Sequence, residues 1–202
     1  MKAKKTFMDA GFSYDDITKM NQCSVKLIYH RLRGRIDKVS WRRVVCHNTG
    51  CPRWIFVLTM TAHDKLYTRD RLQRWGIQVD QECILCKRAS ETIQHLFFEC
   101  PYANALWSKL LVWQGIKRSV YGWDEELRWV EKWTKRKNTA AELYKMALAA
   151  TVYYVWQERN VRIFQAKARG WEIISKPIIQ EIHCRSNKYI EKILHSLDRH
   201  PL

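Results

Sequence analysis

The chain has 202 residues, 47% of them hydrophobic and ten of them tryptophan, which is enough to bury a substantial core and too apolar for a disordered segment. Lys and Arg number 36 against 20 Asp and Glu, and the formal charge of +16 points to a polyanionic partner, nucleic acid before membrane. The seven cysteines are odd in number and follow no secretory signal, since "MKAKKTFMDAGF" has no apolar stretch after its lysines. A disulfide framework and secretion are therefore not expected, and a reducing location, nuclear or cytoplasmic, is. The uncharged run at 146–156 is well short of the roughly 20 residues a membrane span needs.

Residues 1–23 read as an N-terminal extension. Its "FSYDD" looks like the aromatic-x-Asp-Asp turn that holds polymerase metal ions, but the aromatic is out of register by one, so Asp15 and Asp16 are assigned to a solvated segment. Ser24 can cap a short helix through "SVKLIYHRL", with Val25, Ile28, Tyr29 and Leu32 on one face. Ser40 can cap a second, carrying Trp41, Val44 and Val45, which "NTGCP" ends. Pro52 suits the first position of an apolar helix through "RWIFVLTM", although its β-branched residues also allow a strand. Thr68 can cap "RDRLQRW", with Gly76 as the stop. Pro101 opens a helix with Ala105, Leu106, Leu110 and Trp113 on its apolar side, closed by Gly115. Residues 117–138 read as a linker and a short amphipathic helix whose acidic start suits the helix dipole. Thr139 and Glu142 form a capping box for a helix of about seven turns, which Gly170 ends. One last helix is expected from about Ser175, with Ile178, Ile182, Tyr189, Ile193 and Leu197 on its apolar side. The fold class is mainly α: a small helical domain over 24–116, then a long-helix region over 139–202.

"CILCKRASETIQHLFFEC" places Cys83, Cys86, His95 and Cys100 at the spacing C-x2-C-x8-H-x4-C, four ligands in the number that a closed tetrahedral zinc site needs. Ser90 can cap a helix that starts at Glu91 and projects His95. On a continuous helix, however, His95 and Cys100 would face about 140° apart. Pro101 disfavours helical geometry at Cys100, so the chain is expected to leave the helix near Phe98 and return the thiolate to the metal. The competing readings are buried free cysteines beside a core histidine, and a C-x-x-C redox pair that lacks its strand-helix context. A second constellation, Cys46, His47 and Cys51, supplies three local ligands and would need His63 or Cys23 as a fourth.

The stretch from about Val25 to Ile116 resembles the reverse-transcriptase zinc-binding domain of plant LINE-type non-LTR retrotransposon polyproteins. The matching segments are "SVKLIYHRL", "VSWRRVV", Pro52, Phe56, "LYTRDRLQRWGI", "CILC", "ETIQHLFFECPYANALW" and Trp113, and "VYYVWQERNVRIF" is similar to the helical segment that often follows. The resemblance implies a single structural Zn2+ on Cys83, Cys86, His95 and Cys100. Cys46 and Thr59 stand where the family usually has tryptophan, which thins the expected core. A chain of this length has no room for polymerase or endonuclease domains, so the resemblance implies a detached C-terminal fragment.

The positive charge lies mainly upstream of the zinc ligands. Arg31, Arg33, Arg35, Arg42, Arg43, Arg69, Arg71 and Arg74 are the candidate nucleic-acid contacts. Trp75 either stacks a base or belongs to the core, and the core is the expectation. No clustered carboxylates of the two-metal type are visible, so no catalysis is expected. The function read from these residues is non-enzymatic binding of RNA or single-stranded nucleic acid. A protein-interaction or self-association module acting through the C-terminal helices, or a remnant without selected function, is the alternative.

Overall fold

The computed structural model describes residues 7–9, 11–13, 25–34, 39, 41–46, 48–133 and 138–198. The backbone divides into two units, 1–39 and 40–202. In the first, helix α1 (Val25–Arg33) follows Ser24, which lies outside the described residues. Tyr29 and Leu32 on its expected apolar face are exposed. Arg31, itself exposed, lies over the buried Phe12 ring, its guanidinium 4.0 Å from the centroid, and donates to the Gly11 carbonyl at 3.3 Å.

The second unit runs through α2 (Arg42–Cys46), α3 (Pro52–Ala62), α4 (Arg69–Arg74), a π-helical turn (His95–Glu99), α5 (Pro101–Trp113), α6 (Trp123–Trp133), α7 (Thr139–Gln165), α8 (Trp171–Arg185) and α9 (Lys188–Asp198). Its only β feature among the described residues is an isolated antiparallel bridge between Glu82 and Ser90. Pro52 sits in the first turn of α3, where its missing N–H costs nothing, and the strand alternative for this segment falls away. Cys46 is exposed, so a tryptophan lost there takes nothing from the core. Thr59 returns its hydroxyl to the Ile55 carbonyl at 2.6 Å.

Helix α7 is the axis on which the others pack. Leu143, Met146, Ala147, Leu148, Ala149, Ala150, Val152 and Val155 bury it on nearly every side, and α3, α5, α6, α8, α9 and the π turn all touch it. Its cap is Asn138, whose side chain accepts the Ala141 N–H at 2.7 Å, one residue ahead of the expected capping box. The helix ends at Ala166, which adopts φ 52°, and Gly170 opens the next helix four residues before the expected start. What reads as one last helix is two, because the chain leaves helical geometry at Ser186 and Asn187 caps α9 by accepting the Tyr189 and Ile190 N–H groups at 3.0 Å each. Ile174, Ile178 and Ile182 of α8 and Ile190 and Leu194 of α9 are buried in the core, while Tyr189 is exposed. The break re-phases the apolar stripe, which one periodic template could not reveal.

Trp54, Trp107, Phe97, Phe98 and Tyr144 fill the centre of the unit. Glu126, fully buried, ties α5, α6 and α7 together by accepting from Trp107 Nε1 (3.1 Å), Tyr144 Oη (2.6 Å) and both Arg118 Nη atoms. Trp75, expected in the core, is 52% exposed instead. It follows the short helix α4 at a point where Gly76 turns the chain with φ 78°, away from the packed layer.

Candidate metal centre

The ligand segment begins as a knuckle. Cys83 N–H donates to the Ala89 carbonyl at 2.8 Å and Lys87 N–H to the Cys83 carbonyl at 2.7 Å, while Lys87 takes φ 53° to turn the chain back. Ser90 enters the bridge with Glu82, so it is not available as a cap. Thr92 takes that role: its hydroxyl accepts the His95 N–H at 3.0 Å, and helical geometry starts after it rather than at Glu91.

His95 and Cys100 then meet by a means that α-helical periodicity does not contain. The Cys100 N–H donates to the His95 carbonyl at 2.6 Å, an i→i+5 bond that widens this turn into a π-helical one. The extra residue cancels the mismatch of about 140° that a regular helix would impose. Cys100 itself is extended (φ −61°, ψ 127°), as the following Pro101 requires.

The four candidate ligand atoms, Sγ of Cys83, Cys86 and Cys100 and one imidazole nitrogen of His95, all lie within 4.8 Å of one another. The Cys83 and Cys100 sulfurs are 3.9 Å apart and the Cys86 sulfur is 3.2 Å from His95 Nε2. Zinc with Zn–S bonds of about 2.3 Å places tetrahedral sulfurs about 3.8 Å apart, so the donor set and its spacing fit that ion. Cys83 and Cys100 are fully buried. The hydrogen bond to Cys100 draws the Cys83 thiol down to about 5, against the effect of burial. The same hydrogen bond to Cys83, with burial, pushes Cys100 far above an ordinary thiol. Among the described residues of the second constellation, Cys46, Cys51 and His63 form no such group. Cys46 is exposed, Cys51 is buried, His63 packs edge-on against Trp41 at 4.5 Å, and His47 and Cys23 lie outside the described residues.

Side chains distant in sequence hold the knuckle. Glu91, fully buried, accepts from Arg159 Nε (3.1 Å) and Nη2 (2.7 Å) and from the Arg69 N–H (3.1 Å). Arg162 donates to the Leu85 carbonyl (3.1 Å), the Arg169 carbonyl (2.9 Å) and Glu158 (2.9 Å), and its guanidinium lies 4.8 Å from the Tyr102 ring centroid. Burial raises Glu158, but the Arg169 N–H and the Arg162 and Arg169 side chains together hold its carboxyl below the ordinary range. Sequence reasoning missed Glu91, Tyr102, Arg159 and Arg162. The available signal was a run of charges, Glu158, Arg159 and Arg162, on a helix otherwise buried on most sides.

The candidate nucleic-acid contacts separate by engagement. Arg42 and Arg43 on α2 and Arg33 on α1 are exposed, and Arg33 lies 5.8 Å from the Tyr29 ring centroid. Arg35 lies outside the described residues and Arg31 packs on Phe12. Arg69 is 14% exposed and committed to Asp80 (3.1 Å) and the Glu82 carbonyl, which ties α4 to the approach to Cys83. Arg74 pairs with Asp70 (3.1 Å) and Asp64 (3.6 Å), and Arg71 lies over Trp75 at 4.9 Å.

No curated protein and no solved structure matches the chain. Residues 23–107 match the model of a family described as zinc-binding in reverse transcriptase, and all four clustered ligands lie inside that span.

Proposed function

We propose that the chain is a non-enzymatic nucleic-acid-binding module, nuclear or cytoplasmic, built around one structural zinc ion and taking RNA or another single strand. The observation that carries the reading is the closed donor set: four protein ligands within 4.8 Å leave no coordination position at which water could be activated. Cys83, Cys86, His95 and Cys100 would hold the ion, whose binding supplies folding free energy, on the order of 10 kcal/mol or more for such sites at neutral pH. The net charge of +16 and the exposed Arg42 and Arg43 support a phosphate partner.

The test is a metal analysis beside binding titrations with RNA, single-stranded DNA and duplex DNA across a salt series. One zinc per chain is expected, with binding to single strands that weakens with salt. Changing Arg42 and Arg43 to Gln should lower affinity and flatten the log-log salt slope by roughly 0.7 for each lost single-strand contact. Zero or two zinc ions per chain, or unaltered affinity and slope in the arginine variant, would overturn the reading. Exposed Ile173 and Tyr189 on α8 and α9 support the alternative of a protein-interaction module, which a stable oligomer at high salt without RNA binding would favour. A co-purifying metal-dependent nuclease activity abolished by an acidic-residue substitution would refute the non-enzymatic assignment.

A further inference from the structure

The geometry points to Arg162, assisted by Arg159, as a positioning residue of the metal centre, contributed by α7 from outside the matched span of residues 23–107. The inference rests on the metal reading of the Cys83, Cys86, His95 and Cys100 cluster.

Arg162 touches both arms of the ligand set. Its Nη1 donates to the carbonyl of Leu85, the residue between the first two cysteines whose peptide leads directly into Cys86. Its guanidinium plane covers Tyr102, two residues beyond Cys100, and the Tyr102 hydroxyl donates at 3.1 Å to the same Arg169 carbonyl that accepts from Arg162 Nη2. The remaining donor direction, Nε, is held by Glu158 at 2.9 Å, a carboxylate that is itself fully buried and also grips Arg169. A planar fork with all three directions occupied is fixed in orientation, and so therefore is the Leu85 carbonyl.

Arg159, one turn earlier on α7, secures the loop between Cys86 and His95 in the same way. Its two bonds to Glu91 hold the residue just before the Thr92 cap, and its Nη2 also donates to the Tyr67 carbonyl at 3.1 Å. Glu91 N–H donates to the Gln81 carbonyl at 2.8 Å, so the same residue ties the segment that leads into Cys83. The segments between Cys83 and Cys86 and between Cys86 and His95 are thus anchored to one helix. A carbonyl neighbouring a ligating thiolate, held by a charged donor, acts on the metal by orienting its ligand, as outer partners of metal sites do.

The experiment uses the full chain loaded with zinc, and again with Co2+ as a spectroscopic probe of tetrahedral thiolate coordination. Metal transfer to a chromogenic chelator is timed for the wild type, Arg162→Met, Arg162→Lys and a core truncation, Ile182→Ala, with helix content followed by circular dichroism. Arg162→Met should lose metal about tenfold to a hundredfold faster with its helix content retained, and its cobalt bands should shift as the Cys86 arm relaxes. Arg162→Lys, which keeps the charge and the aliphatic stem but not the fork, should also release metal faster than wild type, so the inference stays testable if the methionine variant fails to fold. Ile182→Ala destabilises the fold away from the knuckle and should leave the release rate within about twofold of wild type. Wild-type release rates and spectra in the lysine variant, or equal acceleration by Ile182→Ala, would overturn the inference while leaving the zinc site standing. A wild-type chain that takes up neither zinc nor cobalt would overturn both.

Discussion

Cys86 is the most accessible sulfur of the cluster and follows the carbonyl that Arg162 holds, so it is the ligand whose removal isolates the metal with least damage to the buried core. Cys86→Ser should abolish stoichiometric zinc, read by metal analysis, and loosen the π turn, read by amide hydrogen exchange at residues 95–100. Glu158 offers a separate test through pH. Its carboxyl is held below the ordinary range in the folded chain, so its stabilising contribution is present at neutral pH and is lost as pH falls through that lowered value. The stability gap between wild type and Glu158→Gln should therefore be widest near neutrality and shrink in acid, where a protonated glutamate resembles glutamine. A gap that stays constant from pH 7 down to about 3 would show that the buried network does not depend on the charge.

Helix ends were the least legible elements, because several residues within two positions have the chemistry of a cap. At α7 the structure selects Asn138 over Thr139. Asn138→Ala should cost about 1 kcal/mol in chemical denaturation and Thr139→Ala less than half of that. The other end of α7 is closed by Ala166 at φ 52°, a left-handed conformation in which a β-carbon is unfavourable. Ala166→Gly should accordingly stabilise the chain by about 1 kcal/mol, which a rise in denaturation midpoint would show. Legible from the start were elements with a strong punctuator, such as Pro52, Gly76, Pro101 and Gly115, and the four metal ligands, which carry their spacing in the sequence. The π turn was half legible: the mismatch of about 140° announced that something must give, and Pro101 showed where, but the extra residue in the turn has no periodic signature. The identity of the Glu91–Arg159 pair depends on a contact between segments far apart in sequence, which no local pattern encodes.

Across the second unit, the segment matched to the zinc-binding family and the helices beyond it share one core centred on α7. Unfolding of residues 40–202 should be a single transition seen alike by tryptophan fluorescence and by helix content, with a midpoint that falls when zinc is chelated. Two separated transitions, only one of them sensitive to chelation, would mean that α7 and the knuckle are energetically independent despite their contacts.

The wide turn between His95 and Cys100 has a consequence for how such sites vary in length. A regular helix brings residues four apart to the same face, so removing one residue from this turn would convert it to α-helical geometry and still return the second ligand to the first. Glu99 is exposed and is the natural residue to lose. A chain with three residues rather than four between the histidine and the last cysteine should therefore build an equivalent centre, and a deletion of Glu99 that still retains one zinc would demonstrate it. Two helical solutions at this point imply two workable spacings, so a search pattern with one fixed gap would overlook sequences built on the other.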